Sequence, residues 1–332
     1  MREYSLKKIF RSILIIIMLG VLSPSYSLNK ENLNLGVYPT GGCLSCLKKA
    51  YAKHKNGEYD IAISNYTEVL KVCPKAVNVY LSRGHAYFLI KDYKSAIADF
   101  DRVIELNPES LSAYCNRGSA NILLGNYDLA IDDFNIVLDK DSDLYEGYYN
   151  RGVAKMCKKE YDSAIKDFDI AIGIDPKSYE AFCDRGKSKS HLKHYDEAIK
   201  DFDSAILIKP KDVRAYYNRG HAKIYDKDFD GAYVDFNKVI EIDDKYSSAY
   251  FNRAMIEYRN KNYESAVRDY SVYIVLIPED AQAYNNRGMS RIHYEKDKTN
   301  ARYDCLKALK LNPDYYDTYK HIGWLKYYLP KR

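Results

Sequence analysis

The glycine of an Arg-Gly pair stands at Gly84, Gly118, Gly152, Gly186 and Gly220, each 34 residues after the last. The same step continues to Ala254, where the next smallest residue replaces glycine, and to Gly288; one step back reaches Ala50. Seven equal intervals do not arise by chance, so the chain reads as a tandem array of one structural unit rather than a single globule. A further step reaches Gly323 only if one residue is inserted, near positions 295–298.

Other columns keep the same step. An aromatic precedes each small residue by four: Tyr80, Tyr114, Tyr148, Phe182, Tyr216, Tyr250 and Tyr284. A second small column is Ala62, Ala96, Ala130, Ala164, Ala198, Ala232, Ala266 and Ala301, and four residues on come Tyr66, Phe100, Phe134, Phe168, Phe202, Phe236, Tyr270 and Cys305. Spacings of three and four put these residues on one helical face. In the unit around Gly220 a break at Lys227-Asp228 separates two helices, the second running from Phe229 to Ile242. Gly57, Gly125 and the pairs Lys159-Glu160 and Lys193-His194 mark the same turn elsewhere. Pro74, Pro108, Pro176, Pro210, Pro278 and Pro313 close most units, because proline cannot continue the helical hydrogen-bond ladder. Each unit is therefore a helix pair, with small residues allowing close approach and a facing aromatic filling the space beside them.

Large aromatic, small residue, Ala, aromatic and Pro over 34 residues resembles the tetratricopeptide repeat family. Asn150-Arg151-Gly152 and Ala164-Ile165-Lys166-Asp167-Phe168 resemble a narrower variety of that repeat. The resemblance extends from Gly42 to Leu329 and implies an all-α, right-handed superhelical solenoid of antiparallel helix pairs. Eight pairs are expected over 42–313. Residues 314–329, with Trp324, are expected to form a terminal helix that covers an apolar face no further repeat can cover.

The amino terminus follows different rules. Lys7, Lys8 and Arg11 precede ten apolar residues, Ile13 to Leu22; Pro24 and the small-x-small run Ser25-Tyr26-Ser27 follow. That order describes a secretory signal peptide over 1–27, with 28–41 as a polar tether. Ten helical residues span only ~15 Å, half a bilayer core, so a spanning helix is disfavoured. An uncleaved anchor and a buried first helix are the other two readings. The expected location is periplasmic or secreted.

Bulk charge narrows the partners. Arg2, Lys7, Lys8 and Arg11 against Glu3 place three of the five net positive charges in the leader. The remainder has no basic track, so nucleic acid is not an expected partner. Tyr outnumbers Phe, 35 to 10, and a phenol that is half apolar and half polar suits interfaces.

Two polar columns carry the candidate chemistry. Arg83, Arg117, Arg151, Arg185, Arg219, Arg253 and Arg287 each precede the small residue. Asp99, Asp133, Asp167, Asp201, Asp235, Asp269 and Asp304 lie sixteen residues later, seventeen at the last pair. Across a tight antiparallel turn that separation suits structural ion pairs within each repeat; an arginine ladder for a ligand is the alternative. Lys49 and Asn65 depart from the pattern in the first unit.

The neighbouring column is Asn116, Asn150, Asp184, Asn218, Asn252 and Asn286. The resemblance implies that this first-helix face lines the inner surface, where an amide holds an extended peptide by donating and accepting at once. Tyr149, Tyr217, Phe251, Asn285, Cys115 and Cys183 stand beside it, with Lys187, Arg214, His221 and Arg259 sparsely placed. The basic clamp some members use for a terminal carboxylate is not reproduced. An aromatic and amide-lined peptide groove is the leading reading of this face. Packing between adjacent repeats and a glycan or small ligand stacked on tyrosine remain open.

Cys43 and Cys46 open the first helix and Cys73 closes its partner, so a disulfide from Cys73 to either is expected if the chain is exported. A zinc site lacks a fourth ligand nearby, and no metal or cofactor is expected. The seven His residues share no metal-binding spacing, and no nucleophile, base and orienting group converge. The chain reads as a non-enzymatic scaffold that binds a protein or peptide partner in a groove. A permanent structural subunit of a membrane-associated or surface complex is the alternative class.

Overall fold

The computed structural model describes residues 41–294 and 298–314. Sixteen α-helices follow one another, and among the described residues there is no strand. They run in pairs: α1 (Gly41–Lys55) with α2 (Tyr59–Val72), α3 (Val77–Leu89) with α4 (Tyr93–Leu106), α5 (Leu111–Leu124) with α6 (Tyr127–Lys140), and α7 (Tyr145–Cys157) with α8 (Tyr161–Ile174). Then come α9 (Tyr179–His191) and α10 (Tyr195–Ile208), α11 (Val213–Tyr225) and α12 (Phe229–Ile242), α13 (Ser247–Arg259) and α14 (Tyr263–Leu276), and α15 (Ala281–His293) and α16 (Lys298–Leu311). The expected leader, tether and terminal capping helix lie outside the described residues, except Gly41, which opens α1, and Asp314.

The array divides inside α9, with one compact unit through Ser188 and a second from Lys189. In unit one the helices of each of the first four pairs pack on each other, and the second helix packs on the first helix of the following pair from α2 through α7. Unit two repeats this from α10 through α16. In unit one a single core runs from Leu81 to Ala181 without a gap, because each pair buries its open flank only against the next.

The small column sets the closeness of each pair. A Cβ added at Gly84 would lie 2.7 Å from Phe100 Cε1, and one at Gly152 would lie 2.8 Å from Phe168 Cε1. Neither fits without movement, so the aromatic ring lies against bare helix backbone.

Polar side chains start some of the helices and follow others. Gly231 N–H donates to Asp228 Oδ1 at 2.9 Å at the start of α12, an N-cap. After the second helices, the side-chain oxygens of Asn107, Asp141, Asp175, Asp243 and Asn312 each accept from the N–H two residues on. This Asx turn explains why the repeats ending at Asp141 and Asp243 need no proline. The inner turn of each pair is stricter. Its column reads Gly57, Lys91, Gly125, Lys159, Lys193, Lys227 and Lys261, and every member has φ between 64 and 82°. Five lysines thus hold a left-handed conformation that glycine adopts without steric cost.

Candidate binding face

The arginine column is built into the frame. Arg83, Arg117, Arg151, Arg219, Arg253 and Arg287 each donate through Nε and Nη2 to the Asp expected from the spacing. These Asp residues (Asp99, Asp133, Asp167, Asp235, Asp269 and Asp304) are all buried. Arg185 and Asp201 fall in different units. Arg287 reaches Asp304 across seventeen residues, so the insertion leaves the pairing intact.

The third arm is what the spacing did not reveal. Nη1 of each arginine donates to the residue sixteen positions earlier, on the second helix of the preceding pair. The acceptors are Thr67, Asp101, Asn135, Asp169, Asp203, Asn237 and Ser271, at 2.5–3.1 Å. They form a polar column at the same 34-residue step, which is the sequence trace of this contact. Each guanidinium also lies 5.4–5.6 Å from the centroid of the aromatic three residues before it. The arginine therefore joins its own pair and ties it to the one before. A second cation one turn on, Lys155, Lys189, Lys223 or Arg291, reaches the carboxylate of Asp167, Asp201, Asp235 or Asp304.

Several residues expected along the groove are spent between neighbouring first helices. In unit one the Tyr149 hydroxyl donates to Asp184 Oδ2 at 2.8 Å, and Lys187 Nζ donates to Oδ1 of the same carboxylate at 2.8 Å. Burial, and next the Asp184 charge, push the Tyr149 phenol well above its ordinary value. In unit two Asn252 Nδ2 donates to Ser248 O at 2.9 Å and lies 3.1 Å from His221 Nε2 and 3.3 Å from the Tyr217 hydroxyl. Burial lowers the His221 imidazole to about 4. Asn285 is buried and donates to Asn286, which donates to the Tyr270 hydroxyl. Phe251 packs on the Tyr270 and Tyr273 rings. Arg214 grips Asp212 at the start of its own helix. Arg259 is exposed, its guanidinium 3.6 Å from the Phe229 ring centroid.

Three members of the amide column behave differently. Asn116 is 7% exposed and Asn150 is 5% exposed, yet among the described residues no protein donor or acceptor meets either side-chain amide. Asn218, half-buried in unit two, is likewise unmet. None of their side-chain nitrogen or oxygen atoms is both fully buried and unpartnered, so these groups are open to water or to a ligand that supplies what the protein does not.

The remaining candidates are cysteines and histidines. Cys46 and Cys73 are not joined to each other, and the Cys43 side chain lies outside the described ones. Burial pushes the Cys115 and Cys157 thiols up to about 12, which keeps them protonated. His54 Nε2 lies 3.1 Å from His85 Nδ1 with the rings stacked, and the Tyr66 hydroxyl lies 3.3 Å from His54 Nδ1. Among the described residues no group of three or more His, Cys, Asp or Glu side chains is placed to hold a metal ion, and no helix is long and apolar enough to cross a membrane.

Comparison with known proteins agrees with this geometry. Models described as tetratricopeptide or TPR repeats match residues 50–91, 77–110, 115–179, 179–212 and 213–246, together more than half of the chain. No curated protein matches the sequence. Among solved structures, the C-terminal part of a TPR repeat-containing protein from Cytophaga hutchinsonii is 21% identical, with a TM-score of 0.59, covering 71% of this chain and 97% of that one. A tetratricopeptide repeat protein from Parabacteroides merdae is 18% identical, with a TM-score of 0.55, covering 75% and 98%. YrrB, described as a TPR protein with an unusual peptide-binding site, is 18% identical, with a TM-score of 0.51, covering 57% and 97%. At these identities the likeness is one of fold. The repeat models and the helix pairs together make the chain a member of the tetratricopeptide repeat family.

Proposed function

We propose that this protein is a non-enzymatic interaction scaffold that holds an extended peptide or a partner helix along a face formed by first helices within one unit. The observation that carries this reading is the unmet Asn116 and Asn150 side chains of unit one. They recur on one column, and each can donate to and accept from the backbone of a bound segment. The Tyr149–Asp184 network holds neighbouring first helices of unit one in place, so the amides are pre-positioned and lose little freedom on binding. YrrB, with its peptide-binding site on a similar fold, is consistent with the same use here.

The test is calorimetry on a captured partner. Replacing Asn116 and Asn150 by Ala should weaken binding roughly tenfold or more, at about 1 kcal/mol for each lost hydrogen bond. Unchanged affinity with unchanged helical content would remove the reading.

The chain is further proposed to be exported, on the basic, apolar and small-residue order of 1–27. The intact mass of protein recovered from its native source should correspond to a chain starting at Leu28. A mass that includes the leader would contradict cleavage.

A further inference from the structure

The unmet amides of unit one lie among carboxylates. Glu146 stands one turn before Asn150 on α7, and Glu180 one turn before Asp184 on α9. Residues four apart share a helical face, so each Glu borders the amide column. The two helices are joined by the Tyr145 hydroxyl to Ser178 Oγ at 2.6 Å, and by Tyr149 to Asp184. On the other side α7 packs on α5, which carries Asn116. Glu146 is close enough to Cys115 of α5 to add to the rise that burial causes in that thiol. Burial raises the Tyr145 phenol, and the charges of Glu180, Asp184 and Asp175 raise it further.

Lys187 is engaged with Asp184. Glu146 is half-buried and makes no ion pair among the described residues. A partly buried carboxylate without a cation, beside two nearly buried amides without partners, leaves both backbone-binding and charge-binding capacity unused.

We propose that the face spanning α5, α7 and α9 binds a cationic extended peptide, the Asn116 and Asn150 amides taking its backbone and Glu146 taking a Lys or Arg side chain. This rests on the peptide-holding role of the amide column and adds the charge of the partner. General attraction does not supply the preference, because the chain carries a net charge of +5.

The experiment uses the full chain and three labelled decapeptides, alternating Ser with Lys, Ser with Glu and Ser with Gln, followed by fluorescence anisotropy at low and moderate salt. The Ser–Lys peptide should bind at least tenfold tighter than the Ser–Glu peptide, and the margin should shrink with salt. Glu146→Gln should weaken the Ser–Lys peptide at least fivefold and leave the Ser–Gln peptide unchanged. Glu146→Lys should turn the preference toward Ser–Glu. The double variant Asn116→Ala, Asn150→Ala should weaken all three peptides. No preference for Ser–Lys, or one that survives Glu146→Gln, overturns the cationic partner. If the Asn variants still weaken every peptide in that case, the amide column keeps its role. Asn variants that bind every peptide as wild type does overturn both.

Discussion

The Arg83 guanidinium grips the Asp99 carboxylate through Nε and Nη2 at 2.8 and 2.7 Å, and no other described cation reaches that carboxylate. Where Asp167 has Lys155 as a second partner at 2.7 Å, the matching position in the Asp99 repeat is Tyr87. Removing one partner of a buried pair costs more than the pair itself contributes, because a bare charge is left behind. Arg83→Met should therefore lower stability by about 3–5 kcal/mol. Arg151→Met should cost less, by about 1–2 kcal/mol, since Lys155 stays on Asp167. Urea unfolding of the two variants compares them directly, and equal losses would mean that the second cation contributes nothing.

The left-handed lysines are a separate reserve. Lys159 holds φ 69° in a column where Gly125 holds 82°. Lys159→Gly should raise stability by roughly 1 kcal/mol, the steric relief exceeding the added freedom of the unfolded chain. Gly125→Lys should lower it by a similar amount. A thermal melt of each variant gives the sign, and a Lys159→Gly protein that melts lower would show that the lysine side chain makes a compensating contact.

Close approach at Gly152 predicts intolerance of a single methyl group. Gly152→Ala would place Cβ 2.8 Å from Phe168 Cε1, and the overpacking should cost about 1–3 kcal/mol. In the seventh pair Ala254 already packs with Tyr270 in one cluster, so Ala254→Gly should instead cost less, through helix propensity and a small void. Denaturation midpoints in that order would support the packing account. The reverse order would refute it.

Acid should loosen the array through its imidazoles. Burial lowers His85 to about 4, with His54 adding to the fall, and burial alone lowers His221 to about 4. In the unfolded chain these groups titrate near 6.5, so between about 6.5 and 4 the unfolded state takes up protons that the folded state refuses. Stability is therefore full above pH ~6.5 and is lost as pH falls toward 4, by on the order of 2–3 kcal/mol for each imidazole. Unfolding midpoints at pH 7, 5.5 and 4.5 check the slope. His85→Gln should flatten it, and a slope unchanged by that substitution would point elsewhere.

Helix pairs and their limits were legible because packing repeats: the second helix expected from Phe229 to Ile242 occupies those residues. The ion pairs were legible for the same reason, since sixteen residues across a tight turn bring one Arg to one Asp. The third arginine arm was not, although Asn135 and its column were visible, because it crosses from one repeat to the next. Nor did spacing show that Tyr149, Asp184 and Asn252 would be taken up by neighbouring first helices while Asn116 and Asn150 stayed unmet.

By itself the order of residues determined the period, the two helices of each repeat, the small-against-aromatic packing and the charge partners inside a pair. All of these are contacts within about one repeat length, where helical geometry alone fixes who meets whom. The tertiary structure decided which polar side chains are consumed and which remain open. That outcome depends on the angle and depth at which each helix pair settles against the next, which periodicity does not encode.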